Sequence, residues 1–118
     1  MSMIRRMVMT VAVAAFAGLA AAPASAGDCT GYVVGVRPIS QYDHDRGNGF
    51  LAVRTGPGTR YRQIGELYAG DEVSVWNFEN GWYEVACMAG DCTEPYWGRP
   101  SPRGWVSARY IDAQGVCP

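Results

Sequence analysis

The chain has 118 residues, a formal net charge of −1 at pH 7 and an apolar fraction of 48%. This length allows one small domain behind a leader, and a weak charge without a basic run argues against binding to nucleic acid or to an anionic membrane surface. Without Arg5 and Arg6, eight of the 10 basic residues remain against 11 acidic residues, so the remaining chain is mildly acidic.

Residues 1–26 have the pattern of a secretory signal peptide. Two arginines precede an apolar run over residues 7–22, and the small residues Ala-Ser-Ala end the segment at Ala26. The run is shorter than the roughly 20 apolar residues that a membrane-spanning helix needs, and Pro23 closes it. The pattern predicts cleavage after Ala26, a secreted or periplasmic protein, and no membrane insertion after cleavage.

Four cysteines follow the signal peptide: Cys29, Cys87, Cys92 and Cys117. An even number of cysteines in a small exported domain predicts two disulfides. Three pairings are open, and the economical one joins Cys29 to Cys117 and Cys87 to Cys92. A metal site with His44 is disfavoured, because structural zinc prefers closely spaced cysteine pairs and the chain has one histidine. We expect no metal and no cofactor.

The mature chain begins with a β-rich segment at residues 31–36, which predicts a strand, and residues 37–48 follow as a loop. We assign residues 27–48 to this N-terminal strand and inserted loop. The loop contains Asp43-His44-Asp45, but the positions after it do not supply the ligands of a calcium loop, so we expect a solvated loop tip.

Leu51 and Val53 alternate with less apolar residues, as a half-buried strand would, and Gly56-Pro57-Gly58 ends that strand in a shaped turn. The two glycines of this turn can take a positive φ. Further strands are predicted at residues 63–67 and 72–78.

Asn80-Gly81 is a strong hairpin signal, because both residues tolerate a positive φ. The strand after it, residues 82–87, should alternate between two faces. One face receives Tyr83, Val85 and Cys87, and the other receives Trp82, Glu84 and Ala86.

Residues 88–103 are rich in proline and predict an ordered irregular loop, closed at its base by Cys87 and Cys92. A strand at residues 104–106 follows, with Trp105 assigned to the core. A single helical turn and a last short strand complete the chain. Short strands with turn residues between them indicate a small all-β barrel.

Five blocks in this order resemble the bacterial SH3 (Src homology 3-like) domain family, over residues 49–112. The resemblance implies a small five- to six-stranded SH3-like barrel of two packed sheets, with a short helical turn before the last strand and residues 113–118 as a C-terminal tail. The blocks are Leu-Ala-Val-Arg-Thr-Gly-Pro-Gly-Thr at 51–59, Gly65, Gly-Asp-Glu-Val at 70–73, Asn-Gly-Trp-Tyr-Glu-Val at 80–85, and Gly-Trp-Val-Ser at 104–107 with Tyr110 and Ile111.

In cell-wall hydrolases such domains bind peptidoglycan peptides, so the resemblance implies an aromatic groove for an extended ligand. By motif, its contacts are Tyr61, Trp82 and Tyr110, with Glu84 as a neighbouring polar group. The alternative is that these aromatic residues only cover an undersized core. His44, Tyr96 and Trp97 are further candidates for contacts made by the loops, although Tyr96 and Trp97 could also cap the barrel.

The expected function is a non-enzymatic binding module for a peptidoglycan peptide or an extracytoplasmic protein. The alternative is a structural or inhibitory protein, of the immunity type, that binds a partner protein through its inserted loops. An enzyme would need a nucleophile with a base, or paired carboxylates in a cleft, and the sequence offers no motif for either.

Overall fold

The computed structural model describes residues 28–118. The predicted signal peptide, residues 1–26, lies outside the described residues. Within the described part, no helix is long and apolar enough to cross a membrane.

In the described part of the chain, seven strands form one antiparallel sheet, and short 3-10 turns lie at Ile39–Gln41, Asp91–Thr93 and Ala108–Tyr110. The strands are β1 (Cys29–Val33), β2 (Leu51–Arg54), β3 (Gln63–Leu67), β4 (Glu72–Glu79), β5 (Trp82–Ala89), β6 (Arg103–Ser107) and β7 (Ile111–Gly115). Their order across the sheet is β3-β2-β6-β5-β4-β1-β7.

The all-β prediction is confirmed, and so is the helical turn before the last strand. The sheet is continuous and has seven strands, where the family resemblance implied five or six in two sheets. The reason is β1, which pairs with β4 on one side and with β7 on the other, so that both ends of the chain extend the sheet. β7 runs to Gly115 and thus includes part of the expected tail.

The core lies inside the curl of this sheet. Leu67 of β3 and Ile111 of β7 come from opposite edges, yet both belong to one buried cluster with the central valines. The alternation predicted for β5 is confirmed, because Tyr83 and Val85 pack in this cluster. The assignment of Trp105 to the core is wrong. The buried Val106 faces the core, so its neighbour Trp105 points to the outer face and is only half-buried.

A positive φ is possible for the glycines of both predicted turns, but only the Asn80-Gly81 turn has it. Asn80 and Gly81 have φ values of 51° and 88°, as the hairpin signal predicted. Gly56 and Gly58 do not have a positive φ. Gly56 is required for space instead, because a Cβ atom there would lie 2.6 Å from the ring of Tyr61.

The structure pairs Cys29 with Cys117 and Cys87 with Cys92, which is the economical pairing. The second bond closes the base of the loop that follows β5. This loop packs along β3: the backbone N–H of Arg99 donates to the carbonyl of Ile64 at 3.2 Å. The loop therefore covers an edge strand that would otherwise expose unpaired backbone groups.

Replacing Cys29 and Cys117 together by serine should lower the free energy of unfolding by about 4 to 5 kcal/mol, because that bond spans a sequence separation of 88. The same change at Cys87 and Cys92 should cost about 2 kcal/mol, because its separation is 5. Urea unfolding followed by tryptophan fluorescence measures both values. A larger loss in the second variant would contradict this chain-entropy explanation.

Candidate functional site

A depression of about 610 Å³ lies on the outer face of the sheet. Ala52 and Arg54 reach it because they alternate with core residues along β2, and Trp82 reaches it as the first residue of β5. Residues 44–50, from the loop between β1 and β2, and Tyr110, from the last 3-10 turn, also line it. The depression is therefore built by strands at its base and by an inserted loop.

A second depression, of about 420 Å³, adjoins the first and is lined by residues 57–60, Asn80 and Trp82. Trp82 and Thr59 line both depressions, so the half-buried indole of Trp82 stands between them. We call the two depressions together the Trp82 groove. Adjoining depressions on both sides of an aromatic ring can accommodate an extended ligand.

The structure brings two of the four predicted groove residues together, since Trp82 and Tyr110 line the same depression. Tyr61 lines neither depression: its ring lies against Gly56, and its carbonyl accepts a hydrogen bond from Arg54 at 3.0 Å.

Glu84 also lies outside the groove. Its carboxylate accepts a hydrogen bond from Asn77 at 2.7 Å and lies 3.9 Å from the Nε of Arg103. These contacts hold its side chain over the outer face of β4, β5 and β6, away from the Trp82 groove.

The three predicted loop residues belong to an aromatic cluster that also covers the end of β3. The ring of His44 stacks on Trp97 at 4.4 Å and on Phe50 at 5.5 Å. Tyr42 packs on Tyr96 at 4.7 Å. We define the Glu66 cluster as Tyr42, His44, Phe50, Tyr68, Tyr96 and Trp97 around the side chain of Glu66.

The side chain of Glu66 is fully buried at the centre of this cluster. Its Oε1 accepts hydrogen bonds from the hydroxyls of Tyr42 at 2.8 Å and Tyr68 at 2.7 Å, and its Oε2 lies 2.6 Å from Nδ1 of His44. A buried carboxylate is tolerated only when hydrogen-bond donors or an opposite charge surround it. Both carboxylate oxygens of Glu66 therefore have a hydrogen-bond partner.

The environment of Tyr42 and Tyr68 keeps their hydroxyls protonated, so that both can donate hydrogen bonds to Glu66. Burial first, and then the hydrogen bond to Glu66, raise the pKa of both the Tyr42 and the Tyr68 phenols above the ordinary value of 10.0. Both phenols therefore stay protonated well into the alkaline range. The hydroxyl of Tyr68 also accepts a hydrogen bond from the backbone N–H of Tyr96 at 2.9 Å.

The Glu66 cluster joins the two inserted loops, because Tyr42 and His44 come from one and Tyr96 and Trp97 from the other. His44 also lines the Trp82 groove, so the cluster holds one part of the groove lining in place. Within residues 28–118, no group of three or more metal-binding side chains is positioned to hold a metal ion.

Tyr42, Phe50, Glu66 and Tyr68 are not among the site residues predicted from the sequence. One signal was present: Glu66 and Tyr68 stand two positions apart, on the face of β3 opposite the core residue Leu67. An outward acid is normally solvated, so only the aromatic residues of the two insertions could have indicated that this face is covered.

Tyr68→Phe should lower the free energy of unfolding by about 1 to 3 kcal/mol near neutral pH, because Glu66 loses a donor and the Tyr96 N–H loses its acceptor. The raised pKa of Tyr68 gives the wild type stability that is fully present below pH 10.0 and lost as the pH rises further. The difference in the free energy of unfolding between the wild type and Tyr68→Phe should therefore become smaller above that pH.

Denaturant unfolding across the alkaline range measures this difference. Tyr32→Phe is the matched control. Tyr32 is 44% exposed, so the loss of its hydroxyl should not change the free energy of unfolding at any pH. A constant difference between wild type and Tyr68→Phe would contradict the assigned role of the Tyr68 hydroxyl.

Comparison with known proteins places these features in a family. A family model described as the bacterial SH3 domain matches residues 49–112. A Bacillus subtilis (strain 168) protein named as an N-acetylmuramoyl-L-alanine amidase, YrvJ, is 32% identical over 65 residues, which is 55% of this chain and 10% of that protein. The chain thus spans about a tenth of the length of this relative. No solved structure matches this chain. Since the family model covers more than half of the chain and the fold is a small curled antiparallel sheet, the protein belongs to the bacterial SH3 domain family.

Proposed function

We propose that the protein is a non-enzymatic, exported binding module that recognises a cell-wall peptide through the Trp82 groove. The observation that carries this proposal is the position of Trp82, half-buried between two adjoining depressions and accompanied by Tyr110. Aromatic rings that are fixed in a strand or turn offer a large contact area at a low cost in conformational entropy. They suit the capture of an extended chain.

The comparisons support the cell wall as the place of binding. The B. subtilis relative is named for the cleavage of a cell-wall bond, and the similarity covers only a small part of it. Bacterial SH3 domains of cell-wall hydrolases bind peptidoglycan or proteins. The two disulfides favour an extracytoplasmic location, where such bonds persist.

The composition of the groove supports binding rather than catalysis. Among its lining residues in the described chain, Asp45 supplies the one carboxylate, so the lining does not offer a carboxylate pair. The Nδ1 of His44 lies against Glu66 and its ring is stacked on two others, which favours a structural role for this histidine.

One observation favours the second candidate, a protein that binds a partner protein through its inserted loops. Tyr96 is 65% exposed and the adjacent Trp97 is 37% exposed, so both are more accessible than Trp82 and Tyr110. Neighbouring exposed aromatic residues are typical of protein-binding surfaces. The two candidates therefore differ in which tryptophan carries the binding energy.

Sedimentation with purified peptidoglycan sacculi separates the two candidates. Trp82→Ala should reduce the bound fraction at least about tenfold, as expected for an aromatic anchor at the centre of a binding site. Trp97→Ala is the comparison variant and should reduce binding less than Trp82→Ala does, because its ring stacks on the groove-lining His44 but does not itself line the groove. Thermal melts of both variants verify that they remain folded.

Binding that survives Trp82→Ala would contradict the groove proposal. If the wild type does not sediment at all, the cell-wall ligand is wrong, and the loop surface of Tyr96 and Trp97 becomes the favoured site for a partner protein.

A further inference from the structure

Positive charge is concentrated in the Trp82 groove, although the described chain is acidic as a whole. Four of the eight arginines in residues 28–118 line the groove, whereas Asp45 is the one acidic residue of 11 that does so. The four arginines are Arg37, Arg46, Arg54 and Arg60.

Three of these arginines have neutral partners, and Arg60 donates to the hydroxyl of Tyr61 at 3.5 Å. The Nη1 of Arg54 donates to the carbonyl of Tyr61 at 3.0 Å, and the Nη1 of Arg37 donates to the amide oxygen of Gln41 at 3.3 Å. Within residues 28–118, neither guanidinium has a carboxylate within the 4.0 Å of an ion pair. Arg46 differs, because its Nε lies 3.6 Å from Asp43.

A guanidinium carries five N–H donors, and one hydrogen bond to a neutral oxygen leaves most of them and the whole charge available. Its planar fork matches the two oxygens of a carboxylate, and such charge-assisted pairs are stronger than neutral hydrogen bonds. Arg54 is half-buried on the strand β2 and is held on one side by Tyr61, so its fork is partly ordered before any ligand arrives.

We propose that the Trp82 groove selects a peptide segment that carries free carboxylates, with Arg37 and Arg54 as the residues that bind them. This inference rests on the proposed function and adds the charge of the ligand to it. Trp82 and Tyr110 provide apolar contact along the peptide, and the two guanidinium groups provide selectivity, because a neutral peptide leaves both charges without an ionic partner. The carboxylate of Asp45 attracts a cationic ligand, but the positive charge of the four arginines outweighs it.

The test uses two soluble probes of equal length, hexaglutamate and hexaglutamine, each acetylated and amidated at its ends. NMR titration of the protein labelled with ¹⁵N follows the indole N–H of Trp82. The wild type should bind hexaglutamate at least about tenfold more tightly than hexaglutamine, as expected for charge-assisted pairs. Salt should weaken the binding of hexaglutamate, because it screens charges near the surface.

Variants show whether this selectivity comes from the groove. Arg37→Gln and Arg54→Gln should each lower the affinity for hexaglutamate about fivefold or more, and Arg54→Lys should recover part of the loss. Arg99→Gln is the matched control: it removes the same charge outside the groove, from an exposed side chain, and should have little effect. Equal affinity for the two probes, no binding of either, or equal loss in the Arg99 variant would overturn the inference.

Sacculi distinguish this inference from the proposed function. Amidation of their carboxylates should reduce sedimentation of the wild type. If the protein binds native and amidated sacculi equally well, the charge inference is wrong and the cell-wall function stands. If it discriminates between the hexapeptides but binds no sacculi, the groove selects carboxylates and the cell-wall function is wrong.

Discussion

The burial of one carboxylate, that of Glu66, determines how the insertions of this domain are arranged. A charge without access to water must be met by donors from the protein, and Glu66 obtains them from Tyr68 next to β3 and from Tyr42 and His44 in the loop before β2. The Tyr68 hydroxyl then accepts the Tyr96 N–H, which extends the hydrogen bonds to the second insertion. Because residues 44–50 also line the Trp82 groove, the shape of the candidate binding surface depends on a carboxylate outside that lining.

The sheet and the insertions have separate physical roles. The strands bury a core of valines and leucines and place Trp82 and Arg54 on the outer face through simple alternation. The insertions cover the edge of β3 and add polar and cationic groups to the groove. The strand scaffold can therefore stay constant while the loops change the lining of the groove, as is general for sites that loops build on a rigid sheet.

Local signals in the sequence predicted much of the fold. The alternation of β5, the Asn80-Gly81 turn and the family resemblance depend on short stretches of chain, and each is confirmed. The disulfide between Cys29 and Cys117 followed from the positions of the two residues near the chain ends.

The site was harder to predict, because its geometry depends on contacts between distant residues. Tyr61 was expected in the groove, yet its ring packs against Gly56, and the burial of Glu66 depends on His44, 22 positions away. A pattern along one strand contains no information about such contacts.

The bond between Cys29 and Cys117 also defines how the domain would carry mechanical load. It joins the two ends of the described chain, with their Cα atoms 4.7 Å apart. Tension applied between those ends would pass through this covalent link and would not separate β1 from β7, so the hydrogen-bonded strands would remain unloaded. The sheet at the base of the Trp82 groove would therefore keep its shape under such tension.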